Sequence, residues 1–153
     1  MAEHVERATE DEIRERVASS SFHASIGISV ERVRPGAVDL KLEAGPDHVN
    51  LLGMVHGGVL ATLVDTAAGL AVRSAIPAGS RHVSVNLDVQ YLAPANTGTL
   101  LATGRVVRMG RRIAFAEAHV SDAVGAVVAR AQVTIAVSQP ATDGADEETA
   151  VDQ

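Results

Sequence analysis

VNLLGMVHGGVLATLVDTAAGLAVRSA, residues 49–75, is the stretch on which the fold turns. Its first half, Asn50 to Met54, reads as a loop closed by His56-Gly57-Gly58. From Val59 the chain reads as a helix. Val59, Leu60, Leu63, Val64, Ala67, Ala68, Leu70, Ala71 and Val72 leave almost no polar face between Thr62 and Arg73, and a helix apolar all round is a buried one. One carboxylate, Asp65, sits inside it. Burying an ionised group is costly unless it is paired or neutralised. Asp65 therefore either meets a cation, with Arg73 or Arg81 as candidates, or does chemical work.

Gly57 and Gly58 stand where this helix begins. The first backbone N–H groups of a helix lack internal partners, and the dipole puts partial positive charge there. Glycine admits a close approach to that backbone. Such a start suits an anion, or a carbonyl oxygen about to become one. The bland alternative is that the two glycines only allow the turn to pack tightly. Asp65 lies eight residues past Gly57, about 12 Å of helical rise. That is too far to serve the same oxygen. If both groups act on one substrate, the second comes from another copy of the helix, in a dimer with antiparallel central helices.

The chain has 153 residues, enough for one domain with a real core. Aromatics are 2 % of it, so that core is Val, Leu, Ile and Ala. There is no cysteine, hence no disulfide, thiol nucleophile or thiolate metal site. The charged N-terminus does not resemble a signal peptide, and Asp65 and Arg73 interrupt the central apolar run, so neither export nor membrane insertion is expected. These features are compatible with a cytoplasmic protein. The net charge of −6 is uneven. Residues 1–15 carry six acids and two bases, residues 139–153 five acids and no base, and the body between them is mildly basic. With few aromatics interleaved, that body is a poor nucleic-acid surface. His4, His23, His48, His82 and His119 show no metal-binding spacing, so no metal site is expected.

Residues 1–9 read as a flexible acidic N-terminus, 10–138 as one domain and 139–153 as a disordered acidic tail. Thr9 with Glu12 has the spacing of a capping box, which starts a short helix over 10–19. Strands follow over 26–34 and 37–44, joined at Pro35-Gly36. After the central helix, four strands are expected over 82–92, 99–108, 112–121 and 126–137, their short turns requiring antiparallel pairing. Strict alternation in the first of these places Val83, Val85, Leu87, Val89 and Tyr91 on one face and His82, Ser84, Asn86, Asp88 and Gln90 on the other. Small Ala129 and Ala131 in the last would let a helix lie close. One helix across one antiparallel sheet is an α+β layer.

Several of these residues also carry a family resemblance: Asn50, Gly53-x-x-His56-Gly57-Gly58, Asp65, Ser84-Val85-Asn86-Leu87-x-x-x-Tyr91-Leu92-x-Pro94, and the turn Arg108-Met109-Gly110-Arg111-Arg112. Over residues 22–137 the chain resembles the hotdog-fold acyl-CoA thioesterases of the PaaI, or phenylacetic acid degradation, type. The resemblance implies an antiparallel sheet wrapped around one long central helix. It implies a homodimer joined edge to edge, pairing again into a homotetramer, with each site between two subunits. It implies metal-independent hydrolysis of acyl-CoA, with coenzyme A as part of the substrate and no separate cofactor.

By position, the resemblance makes Gly57 N–H the group that polarises the thioester carbonyl, with Asn50 holding that oxygen or the attacking water. Asp65 of the partner is general base or nucleophile, and Ser84 holds the water. His56 either bonds near the thioester or braces the turn. Arg108, Arg111 and Arg112 around Gly110 either grip the nucleotide phosphates of coenzyme A, for which arginine geometry is well suited, or form a solvated hairpin tip. Tyr91, Pro94 and Ala95 line the pantetheine path. The competing function is a non-catalytic acyl-CoA-binding or sensing protein of the same fold.

Overall fold

A computed structural model of the protein describes residues 7–138. The expectations for 1–6 and for the tail 139–153 lie outside the described residues.

The chain runs α1 (Glu10–Ser19), α2 (Ser21–Ile26), β1 (Ile28–Arg34), β2 (Ala37–Ala44), a short 3-10 turn (Pro46–His48), α3 (Gly57–Arg73), β3 (Arg81–Tyr91), β4 (Gly98–Met109), β5 (Ile113–Ser121) and β6 (Val127–Ser138). Local chemistry accounts for the starts and stops. Thr9 and Glu12 close the capping box at α1, Glu12 N donating to Thr9 Oγ1 and Thr9 N to Glu12 Oε2. The serine run that ends α1 also starts α2, which the sequence reading missed. Ser20 Oγ caps α2 by accepting from His23 N, and Gly27, at φ 82°, stops it.

All six strands form one antiparallel sheet, in the order β1-β2-β4-β5-β6-β3. This corrects one expectation. β3 does not pair with the strand that follows it but stands at the far edge, beside β6. The linker between β3 and β4 makes this possible. Leu92 N still donates to Val128 O of β6, whereas Ala95 O accepts from Val55 N in the loop before α3. The chain thus leaves the sheet edge, crosses the start of α3, and re-enters next to β2.

α3 lies across one face of the sheet, mainly over β4 and β5. The residues under it are small: Ala102, Gly104, Ala114, Ala116 and Ala118. The close contact is therefore made there rather than at Ala129 and Ala131 alone, although both of those are buried. At Gly104 the approach is so tight that a Cβ would stand 2.2 Å from Ala67 O. Leu40, Leu42, Leu63, Val64, Leu100, Val133 and Ile135 complete an aliphatic core, the composition expected from a chain so poor in aromatics.

α3 is not buried all round. Eight of its residues are buried, but Gly58, Thr62, Asp65, Thr66, Gly69 and Arg73 recur at three- and four-residue spacing and form an open stripe. Asp65 lies half-exposed on that stripe. Small and polar residues at helical period carried this signal, which the surrounding apolar residues obscured.

Candidate active site

The candidate residues fall into three groups, and one chain does not bring them together. The first surrounds the start of α3. His56 is the N-cap: its Nδ1 accepts from Gly58 N at 2.8 Å, and its carbonyl accepts from Val59 N at 2.9 Å. Among the described residues, Gly57 N–H has no acceptor. It is the free amide at the positive end of a 17-residue helix. The acceptor role of Nδ1 places the proton of a neutral His56 ring on Nε2, which leaves that nitrogen a donor. His56 therefore braces the turn and also presents an N–H to solvent.

The loop leading to this point is tightly organised. Asn50 Oδ1 accepts from Leu52 N at 2.9 Å and Met54 N at 3.2 Å, and Asn50 O accepts from Gly53 N, with Gly53 at φ 77°. The side-chain carbonyl of Asn50 is thus spent on the loop, and its Nδ2 amide is the part left to act on a ligand. Tyr91 lies over the helix start, its hydroxyl donating to Gly57 O at 3.1 Å. A Cβ at Gly57 would come within 3.3 Å of that ring, so the glycine has a packing reason beside its exposed amide. Asn50, Gly57, Tyr91, Pro94 and Ala95 line one recess of about 310 Å³. Ala95 is itself buried and pins the loop through its carbonyl.

The second group is Asp65 with Ser84. Ser84 Oγ donates to Asp65 Oδ1 at 2.7 Å. No cation lies within ion-pair distance of Asp65 among the described residues, which leaves Arg73 and Arg81 out as neutralising partners. A β-bulge places Ser84 here. β3 pairs Ser84 with Ile135 and Asn86 with Thr134, so Val85 is an extra residue and the strand changes face at that point. His82 and Ser84 before the bulge, and Leu87, Val89 and Tyr91 after it, all turn toward α3. Strict alternation had put Ser84 and Tyr91 on opposite faces; the single inserted residue brings them to the same one.

His82 belongs with this group, and its place in the strand alternation alone does not mark it as a site residue. It shares the inner face of β3 with Ser84, and its Nε2 lies 3.7 Å from where a Cβ of Gly69 would be. Burial holds its imidazole below the usual value of 6.5, with Arg73 and Arg16 adding to the effect and Asp65 opposing it. On the other side of the stripe His23 Nε2 is 3.5 Å from Thr66 Oγ1, and burial lowers its imidazole too. For both, the unfolded chain takes up a proton near pH 6.5 before the folded one does. Stability is therefore fully present above that pH and is lost as pH falls through it toward the lower folded values. Thermal unfolding from about pH 8 to about pH 5 should show a melting temperature that declines on the acid side. His82→Gln should flatten the decline; an unchanged slope would remove His82 as its source.

The third group is Arg108, Gly110, Arg111 and Arg112. Gly110 N donates to Ile113 O at 2.9 Å, and a Cβ at Gly110 would meet that oxygen at 2.6 Å, so the hairpin needs the glycine. The three arginines are exposed and make no ion pair among the described residues. The sheet register puts them far from Gly57. β4 begins with Gly98 opposite Ala44, beside the loop into α3, and runs toward Gly36, which bonds Ser74 at the other end of that helix. The arginine hairpin lies at that second end. Among the described residues no cluster of three or more His, Asp or Glu is arranged to hold a metal ion, and no helix is long and apolar enough to cross a membrane.

Comparison with known proteins bears on the family and the fold. The sequence profile described as Thioesterase superfamily matches residues 52–129, which include α3, β3, β4 and β5. A protein of Halobacterium salinarum provisionally named an esterase is 43% identical over 103 residues, 62% of this chain and 66% of that one. Acyl-coenzyme A thioesterase 13 of Homo sapiens is 29% identical over 125 residues, 80% of this chain and 89% of that one. Among solved structures, zebra fish Thioesterase Superfamily Member 2 superposes with a TM-score of 0.76 at 28% identity, covering 84% of this chain and 98% of that one.

Proposed function

Because the chain belongs to the thioesterase superfamily, we propose that it hydrolyses acyl-CoA thioesters at a site shared between two copies. One observation carries the proposal: the free Gly57 amide and the Asp65–Ser84 pair are separated along one helix, while the edge of β3 beside them has no partner among the described residues. Among the described residues β3 pairs only with β6, and Val83 and Val85 are 62% and 58% exposed along it. An unpaired eleven-residue edge strand is a template for another strand. Two such edges joined about a two-fold axis set the α3 helices antiparallel and bring Gly57 of one copy toward Asp65 of the other. The same operation carries the second copy's arginine hairpin toward the first copy's Gly57, where it can meet the phosphates of coenzyme A. A pair of such dimers is the assembly expected from the family resemblance.

The chemistry then needs only groups already described. Gly57 N–H, with Asn50 Nδ2, donates to the thioester oxygen. Ser84 holds Asp65 through Oδ1, leaving Oδ2 to take a proton from water. The hydroxide so formed adds to the carbonyl carbon, and the negative charge moves to the oxygen facing Gly57. Collapse of this tetrahedral species breaks the carbon–sulfur bond. The thiolate leaves with the proton from Asp65, giving a free acid and coenzyme A. Direct attack by Asp65 on the carbonyl, through an anhydride that water opens, uses the same placement. Coenzyme A in this scheme is part of the substrate.

Release of coenzyme A thiol from a panel of acyl-CoAs tests the assignment; binding without turnover would favour the sensing function instead. A sharper test is available at Gly57. Proline suits the first position of a helix, where the N–H is unsatisfied anyway, and His56 at φ −63°, ψ 136° already has the backbone a following proline requires. Gly57→Pro should keep the fold, remove the one amide and lower kcat by about 10²–10³. Gly57→Ala adds a Cβ against Tyr91 but keeps the amide, and should cost much less. Equal losses would assign the effect to crowding of Tyr91.

A further inference from the structure

Tyr91 is the only tyrosine in the chain, and its hydroxyl has one partner among the described residues, the carbonyl of Gly57 at 3.1 Å. The sheet builds its position. The bulge at Val85 turns the end of β3 toward α3, and pairing with buried Ala129 of β6 fixes the backbone there. The ring closes one side of the recess that Asn50 and Gly57 also line. A phenylalanine would close the same wall, so the hydroxyl calls for its own account. We infer that it is a positioning group for the hydrolysis: it holds the first peptide of α3 so that the Gly57 N–H keeps its aim at the thioester oxygen. The inference rests on the hydrolase assignment above.

The start of α3 needs such a hold. Two glycines in succession leave the backbone least restrained, and helix ends fray. The amide assigned to the oxyanion lies on the first of them. An oxyanion donor works by being aimed in advance, about 3 Å from the developing charge. Both peptides that flank Gly57 are held, by different means. In the His56–Gly57 peptide, which carries the free N–H, the carbonyl accepts from Val59 N at 2.9 Å. In the Gly57–Gly58 peptide, the N–H donates to His56 Nδ1 at 2.8 Å and the carbonyl accepts from Tyr91. Val59 and His56 belong to α3 and its cap, and move with it. Of the groups bonded to these two peptides among the described residues, Tyr91 alone comes from the sheet.

The glycine and the tyrosine fit one another. A Cβ at Gly57 would lie 3.3 Å from Cε1 and Cζ and 3.4 Å from Oη of Tyr91, so the ring rests against the helix start itself. The bonds also form a chain. The Tyr91 O–H, the Gly57–Gly58 peptide and His56 Nδ1 run donor to acceptor in sequence, and each bond polarises the next. Loss of the hydroxyl therefore costs aim rather than fold. Tyr91 is 55% exposed, so water can reach the Gly57 carbonyl in its place. That water is not tied to β3.

The experiment compares wild type, Tyr91→Phe, Gly57→Pro and the double variant, reading kcat, KM and melting temperature. The substrate is whichever of acetyl-, hexanoyl-, lauroyl- and benzoyl-CoA wild type hydrolyses fastest. Tyr91→Phe should lower kcat by about five- to tenfold, the effect of one neutral hydrogen bond. Its KM should stay within about twofold of wild type, and its melting temperature within about 3 °C. In Gly57→Pro, where no amide is left to aim, the same change should alter kcat by less than about twofold. An intact kcat in Tyr91→Phe overturns the inference: with a raised KM the hydroxyl is a substrate contact, and with a lowered melting temperature a structural one. A full fall in both backgrounds also overturns it, because the hydroxyl then works independently of the Gly57 amide. If Gly57→Pro does not fold, kcat and KM of Tyr91→Phe decide alone. If wild type turns over no thioester, the hydrolase assignment fails and the inference fails with it; if wild type is active, only the inference is at stake.

Discussion

Asp65→Asn should lower kcat for acyl-CoA hydrolysis by about 10²–10⁴, the contribution expected of a positioned general base, with acyl-CoA binding retained. The fold should be nearly indifferent to the change. An asparagine Oδ1 can still accept from Ser84 Oγ, as Asp65 Oδ1 does at 2.7 Å. Asp65 is half-exposed, and no cation within ion-pair distance among the described residues loses a partner. Substitutions in such places usually shift stability by within about 0.5 kcal/mol. What asparagine lacks is the capacity to take a proton from water or to attack as an anion. Turnover and melting temperature measured on the same preparation separate the two roles. A lower melting temperature with activity per folded molecule intact would make Asp65 structural.

Gly104→Ala should be the most damaging single methyl group in the fold. Its Cβ would stand 2.2 Å from Ala67 O, 2.3 Å from Ala67 C and 2.7 Å from Ala68 N. All three atoms are helix backbone, so no rotamer change relieves the clash. α3 would have to lift from β4, opening space over Ala102, Ala114 and Ala116, all buried. Overpacking in a core typically costs 1–3 kcal/mol, and an immovable neighbour puts this case at about 3 kcal/mol or more. That is a large part of the 5–15 kcal/mol holding a typical domain together, and corresponds to a fall in melting temperature of roughly 10 °C. Urea unfolding of Gly104→Ala beside wild type reads the difference. Equal midpoints would mean that α3 does not press on β4 as closely as described.

Much of this was legible from residues in order. The Thr9/Glu12 capping box, the alternation in β2, β5 and β6, and the apolar run after Gly58 each have a local cause, and each element appears where that cause puts it. The features that were not legible are those set by tertiary pairing. Nothing local in Leu92 to Thr97 says that β3 will stand beside β6, because that depends on Ala95 finding Val55. The bulge at Val85 is likewise a property of the β3–β6 register, and it decides which face Ser84 and Tyr91 share. Deep burial of Asp65 is the expectation that fails: it lies on a stripe of small and polar residues whose period is hidden by the alanines around it. The separation of Gly57, Asp65 and the arginine hairpin into three places was partly foreseen, since helical rise alone sets the first two apart.

A site shared between two copies can be tested most directly by complementation. Gly57→Pro and Asp65→Asn chains, each nearly inactive alone, are co-produced in equal amounts and assayed as the mixture. If Gly57 of one chain works with Asp65 of its partner, half of the dimers are mixed and each of those holds one intact site and one doubly defective site. Activity should then return to about a quarter of wild type. Activity no greater than the average of the two parents would contradict a shared site and place both groups in the service of one chain alone.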